Sequence, residues 1–192
     1  MQLEMPSVKS LKVEDEYSAY LPSPDVEKIR DFMAVCGDVN PIHWNQDYCK
    51  LTHFEVPIAH GALLLSLLSC VLGTKYPGPG TVVMSMTSKF TGPLNYTREA
   101  GQLKIKLKVL DKKGISATLA YEIGLGRYGG HQLVSGKVIV TNIWDITEKK
   151  QNEQKAKAKD GDSEQNPEDP SQEQPGVDAV PEGAGPDSPG GV

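Results

Sequence analysis

The chain has 192 residues, a net charge of −5, 38% apolar and 23% charged residues, which suits one domain with or without an appendage. No apolar run approaches the ~20 residues that span a bilayer, so membrane insertion is not expected. The charge is split: residues 151–192 carry a net of −7 and residues 1–150 a net of +2, so the body is near neutral and offers nucleic acid phosphates little attraction.

The N-terminal residues show no basic stretch leading into an apolar one, which argues against secretion, and Glu4, Glu14, Asp15 and Glu16 make a poor transit peptide. Ser23-Pro24-Asp25 opens a helix, with Ser23 as its cap, Pro24 in the first turn and Asp25 and Glu27 at the positive end of the dipole. Val26, Ile29, Met33 and Cys36 give that helix one apolar face, and Gly37 ends it. Asn40-Pro41 then blocks any helical continuation. A short helix is expected from Asp47 to Thr52. A strongly apolar one runs from His60-Gly61 to about Leu72, with Gly73 as its stop. Leu, Cys and Val on nearly every side of it predict a helix surrounded by protein, interrupted only by Ser66 and Ser69.

After Gly80 the period changes to two. Thr81–Phe90, Gln102–Leu110, Ile115–Leu125 and Gln132–Ile143 read as strands joined by turns at Lys112-Lys113-Gly114 and Tyr128-Gly129-Gly130. Leu103, Ile105, Leu107 and Val109 alternate with Lys104, Lys106 and Lys108, so one face of that strand is buried and the other wet. Consecutive strands with short turns give an antiparallel sheet, and an apolar helix needs that sheet curved around it. The expected class is α+β, a hot-dog fold over residues 1–148. Residues 149–192 form an acidic tail rich in Pro and Gly; without periodicity or bulky apolar residues it is expected to be disordered.

Several motifs have bland readings. Gly124-Leu125-Gly126-Arg127-Tyr128-Gly129 matches a dinucleotide fingerprint, but a strand follows it where a helix N-terminus is needed, so it reads as a hairpin turn. The Lys104, Lys106 and Lys108 stripe reads as a solvated face, with a landing site for an acidic carrier or a coenzyme phosphate as the alternative. Cys36, Cys49 and Cys70 form no CxxC pair, which points to a reducing compartment; they are expected to pack in the core. His43, His53, His60 and Asp38 lack the spacing of a helical zinc site, so no metal is expected.

Asp38 and His43 lie five apart in a loop that Pro41 stiffens and Asn40 can pin by side-chain bonds. Converging on one water, an Asp and a His make a general acid/base pair at neutral pH. The start of the apolar helix at Gly61 offers free amides and a positive dipole end to a carbonyl oxygen gaining charge. Together they indicate proton chemistry beside a carbonyl.

Gly37-Asp38-Val39-Asn40-Pro41-Ile42-His43, then Phe54, Pro57-Ile58-Ala59-His60-Gly61 and Ser69, resembles the MaoC-like or R-specific enoyl-CoA hydratase family over residues 15–145. Leu72 to Gly80 is similar to the mitochondrial type 2 branch of the hydroxyacyl-thioester dehydratases. The resemblance implies reversible hydration of trans-2-enoyl thioesters to (R)-3-hydroxyacyl thioesters in fatty acid metabolism. The thioester would be carried on CoA or acyl carrier protein, without a cofactor and with active sites at a homodimer interface. It implies Asp38 and His43 as the catalytic pair. Asn40, His60, Gly61 and Ser69 would serve substrate binding, Gly61 through its amide. It also implies an intracellular setting, mitochondrial on the resemblance and cytoplasmic otherwise. A thioesterase and a non-catalytic acyl-thioester binder are the competing readings.

Overall fold

A computed structural model describes residues 7–99, 101–126 and 130–161. After a 3-10 turn at Val8–Ser10, strand β1 (Glu16–Pro22) leads into helix α1 (Val26–Cys36). A second 3-10 turn at Pro41–His43 precedes the short α2 (Gln46–Lys50) and the long α3 (Gly61–Thr74). Strands β2 (Thr81–Phe90), β3 (Gln102–Lys113), β4 (Ser116–Leu125) and β5 (Gln132–Asn142) follow, and α4 (Ile143–Gly161) closes the described chain. The five strands form one antiparallel sheet in the order β1-β3-β4-β5-β2, so β1 and β2 are its edges.

The period-two pattern of β3 does what it predicts: Leu103, Ile105, Leu107 and Val109 are buried. With Leu119, Ile123, Val138 and Val140 of the next two strands they share one core with Leu63, Leu64, Leu68, Val71 and Leu72 of α3. This is the hot-dog arrangement, an antiparallel sheet packed on a long apolar helix. Two of the three lysines on the opposite face of β3 meet acidic partners. Lys108 Nζ lies 2.6 Å from Glu14 and Lys106 Nζ 3.6 Å from Glu122, while Lys104 sits 5.5 Å from the centroid of the Tyr20 ring. Two charges of the stripe are thus paired within the chain, and Lys104 lies against an aromatic ring.

Some expectations need correction. Asp25, not Ser23, caps α1, accepting from the Lys28 amide at 3.0 Å. Strand β1 went unread, although Tyr17, Ala19 and Leu21 alternate with Glu16, Ser18 and Tyr20; it pairs with β3 from Glu16–Lys108 to Pro22–Gln102. Helix α3 is not surrounded within one chain: Ala62, Ser66, Ser69, Cys70 and Thr74 recur at helical spacing and are exposed. Of the cysteines only Cys49 is buried, Cys36 and Cys70 being exposed. Residues 151–161, expected to begin a disordered tail, continue α4, since Glu, Lys, Gln and Ala favour a helix without an apolar stripe. Residues 162–192, most of the expected tail, lie outside the described residues, as do Arg127, Tyr128 and Gly129 of the glycine-rich turn. That turn lies between β4 and β5, so the dinucleotide reading has no helix to rest on.

Candidate active site

The site is built from the loop between α1 and α2. Helix α1 stops because Gly37 takes a left-handed conformation (φ 75°) and returns its amide to Met33 O at 2.8 Å. This turns Asp38 out of the helix with its side chain 51% exposed. Asp38 Oδ1 accepts the Asn40 amide at 3.1 Å, and Asn40 Oδ1 accepts the Ile42 amide at 3.3 Å, capping the 3-10 turn that carries His43. Asn40 thus shapes the loop with its own side chain.

Three further segments hold the loop. His43 Nδ1 lies 2.8 Å from the Ile58 carbonyl, and the Ile58 amide donates to Ile42 O at 3.2 Å. Tyr96, buried at the far side, donates its hydroxyl to His43 O at 2.7 Å. Beneath the turn, buried Cys49 donates its thiol to Ile42 O at 3.3 Å, and burial raises that thiol's pKa. Sequence reasoning missed Tyr96 and Cys49, because both act on backbone carbonyls and no motif marks such a partner.

A carbonyl only accepts, so Nδ1 of His43 carries a proton and its Nε2 presents a lone pair whenever the ring is neutral. That Nε2 faces Asp38 Oδ2 at 3.7 Å, too far for a direct hydrogen bond but suited to sharing one water. The same reasoning fixes His60: its Nε2 donates to the Asp38 carbonyl oxygen at 3.1 Å, leaving Nδ1 bare, buried and without a partner among the described residues. His60 is 2% exposed, and its ring lies 3.6 Å from that of His43 at an interplanar angle of 26°. Burial first, and then the neighbouring His43, lower its pKa, against the raising influence of Asp38.

Asp38, His43 and His60 therefore bring three ligating atoms within 4.8 Å of one another, although their sequence spacing gave no metal signal. The ring geometry opposes coordination. A metal lies along the lone pair of each imidazole, in the ring plane, whereas two nearly parallel rings 3.6 Å apart share no point close to both nitrogens. His60 Nε2 is also engaged with the Asp38 carbonyl. His53 lies apart from the cluster, its ring tilted 40° against that of Phe54 with centroids 3.8 Å apart.

Helix α3 begins beside this loop. No side chain caps it, and the Gly61 and Ala62 amides find no acceptor among the described residues. Next to them opens an apolar groove of ≈ 630 Å³, lined by Phe54, Ile58, Gly61, Ala62, Leu65 and Phe90 among others. Glycine at the helix start leaves room for the Phe90 ring: a Cβ at Gly61 would stand 2.6 Å from it and force the ring to shift. Ser69 lies two turns further along, on the exposed face of α3, and makes no hydrogen bond to His43 or any other described residue. The structure therefore brings Asp38, Asn40, His43, His60 and Gly61 together and leaves Ser69 apart.

A family profile described as a MaoC like domain matches residues 7–124, more than half of the chain. The chain belongs to the MaoC-like family. Its MaoC-like domain is 31% identical over 113 residues to an (R)-specific enoyl-CoA hydratase of Aeromonas caviae, a match covering 59% of this chain and 82% of that protein. An (R)-specific enoyl-CoA hydratase of Rhodospirillum rubrum is 43% identical over 63 residues, 33% of this chain and 44% of that protein, so the match spans less than half of that hydratase. Among solved structures, the (R)-hydratase of Aeromonas caviae superposes with a TM-score of 0.63 at 28% identity, over 70% of this chain and 98% of that one.

Proposed function

We propose that this MaoC-like domain is a hydro-lyase that interconverts trans-2-enoyl and (R)-3-hydroxyacyl thioesters of CoA or acyl carrier protein. The observation that carries the reading is the 3.7 Å separation of Asp38 Oδ2 and His43 Nε2, an acid and a base close enough for one water seated beside them to hydrogen-bond to both. It stands beside unclaimed helix amides and an apolar groove. The family's relatives named as (R)-specific enoyl-CoA hydratases support the same chemistry.

In this reading the acyl chain lies in the groove and the thioester carbonyl oxygen accepts the Gly61 amide. That interaction strengthens as the oxygen becomes enolate-like, so it lowers the barrier. In the hydration direction, water held by Asp38 and His43 adds its oxygen to C3. One of the pair takes the water's proton and the other delivers a proton to C2. Dehydration runs the same steps backwards, removing the C2 proton and protonating the departing 3-hydroxyl. The pair acts as a coupled unit. No cofactor takes part.

The reading includes a homodimer and an intracellular setting, the latter consistent with three unpaired thiols. The test is the loss of enoyl absorbance from crotonyl-CoA, wild type beside Asp38→Asn and His43→Gln. Turnover in the wild type should fall by about 10²–10⁴-fold in each variant with folding intact. Free thiol release without enoyl loss would replace the hydratase with a thioesterase. Binding without either would leave a non-catalytic module.

A further inference from the structure

His60 is a buried imidazole in contact with the acid/base pair that the mechanism above does not use. Its Nε2–H holds the Asp38 backbone, while its face lies on the ring of His43. On its other side, α1 contributes Phe32, whose ring centroid is 5.1 Å away at an angle of 58°. His60 is therefore clamped between an aromatic ring and the acid/base pair. The titratable groups that face it are Asp38 and His43; α1 presents an apolar ring, and α3 begins at the next residue with Gly61. At 2% exposure it has no surface left to offer an acyl chain, so the substrate-binding role expected from the sequence does not fit its position.

The bare Nδ1 decides which form it takes. Protonating it would create a cation with an unpaired N–H in a dry site, against the face of a second imidazole. Neutral, it loses one weak acceptor bond and keeps both useful contacts. We propose that His60 is a positioning residue, a buried ring that sets both the Asp38 backbone and the His43 ring plane, and so fixes the distance across which Asp38 and His43 can share one water. The proposal rests on the hydratase reading for its kinetic consequence and on geometry alone for its structural one.

Two variants separate its two contacts. His60→Phe keeps a flat buried ring and removes the donor; His60→Gln keeps an amide donor at a similar reach and removes the ring face. With crotonyl-CoA, His60→Phe should lower kcat by about 10–100-fold, the cost of displacing a reacting group by roughly an ångström. Its KM should stay within about threefold, because the ring does not touch substrate. His60→Gln should recover part of kcat by restoring the bond to Asp38 O. Nitrogen-15 spectra of the histidine rings supply a readout independent of turnover: the wild-type His43 should be the Nδ1–H form when neutral, keep that single form in His60→Phe, and lose it in His60→Gln, which removes the ring that holds its plane.

A wild-type kcat in His60→Phe, or a tenfold rise in KM with kcat unchanged, would overturn the positioning role, the second outcome in favour of substrate contact. An unchanged His43 tautomer in His60→Gln would overturn it too. If the wild-type protein turns over no enoyl thioester, the hydratase reading fails, while the His43 spectra still judge His60.

Discussion

Histidines 43 and 60 stack ring on ring, yet their surroundings assign them opposite duties. His43 has one nitrogen tied to a carbonyl and the other facing a half-exposed carboxylate, so it can exchange protons with a guest. His60 is sealed in, and its pKa lies below the ordinary 6.5. That shift has a consequence for stability. As pH falls through 6.5, the unfolded chain takes up a proton at this position and the folded chain does not, until pH reaches the lowered folded value. In that window His60 weakens the fold progressively as the solution becomes more acidic. Replacing it with Phe removes this contribution, so the difference in urea midpoint between His60→Phe and wild type should move in the variant's favour from pH 7.5 to pH 5.5. A pH-independent difference would show that burial does not hold the ring neutral. The loop motif made Asp38 and His43 legible in the sequence, since their spacing and the intervening Asn-Pro fix a turn that brings them together. The duty of His60 was not legible, because it depends on which nitrogen meets the Asp38 carbonyl, 22 positions away.

At the level of elements, the four strands after Gly80 were legible in the sequence, whereas β1, which alternates as clearly, was not. Strand β2 has the residues expected, Thr81–Phe90, but its exposure bears no period-two signature. What places it is the pairing with β5 and a buried tyrosine. Tyr121 of β4 reaches across β5 over Gly136, donates to Thr87 O at 3.1 Å and receives the Ser88 hydroxyl at 2.6 Å. Gly136 leaves room for this crossing: a Cβ there would collide with the Thr87 carbonyl oxygen and stand 2.9 Å from the tyrosine hydroxyl. Gly136→Ala should therefore push β2 away from β5 and cost about 1–3 kcal/mol, read from chemical denaturation. Because β2 ends in Phe90, which walls the groove beside Gly61, the same change should also weaken acyl-thioester binding. An alanine variant as stable as wild type would mean that the sheet absorbs the methyl elsewhere. Helix α4 gave no periodic signal: past Ile143, Trp144 and Ile146 in its first turn its sequence is polar or small, and amphipathic spacing, the strongest signal of a helix, is missing.

Among the described residues of the sheet-and-helix domain, β2 and α3 leave apolar and small side chains uncovered. Edge strand β2 exposes Val82, Val83, Met84 and Phe90, Met84 by 62%, and α3 exposes Ala62, Ser66, Ser69 and Cys70. An open sheet edge with apolar side chains invites a further strand. In the homodimer reading, a second copy supplies it. Sedimentation should give twice the chain mass for the wild type and a shift toward the single-chain mass for Met84→Asp; a monomeric wild type would sink the dimer. The patterning captured the helix and its sheet, while the surface that α3 leaves uncovered was invisible to it, because a serine facing solvent and a serine facing a partner look alike in sequence. The strand order β1-β3-β4-β5-β2 also imposes a schedule on the protein's birth. Residues leave the ribosome in chain order, but β1 has no neighbour until β3 is made, and β2 none until β5. Leu64, Leu68 and Leu72 meet their strand partners only once residues 102–142 exist. A nascent chain halted just after α3 therefore carries this protein's most apolar segment bare, and it is at that stage that a chaperone has something to hold.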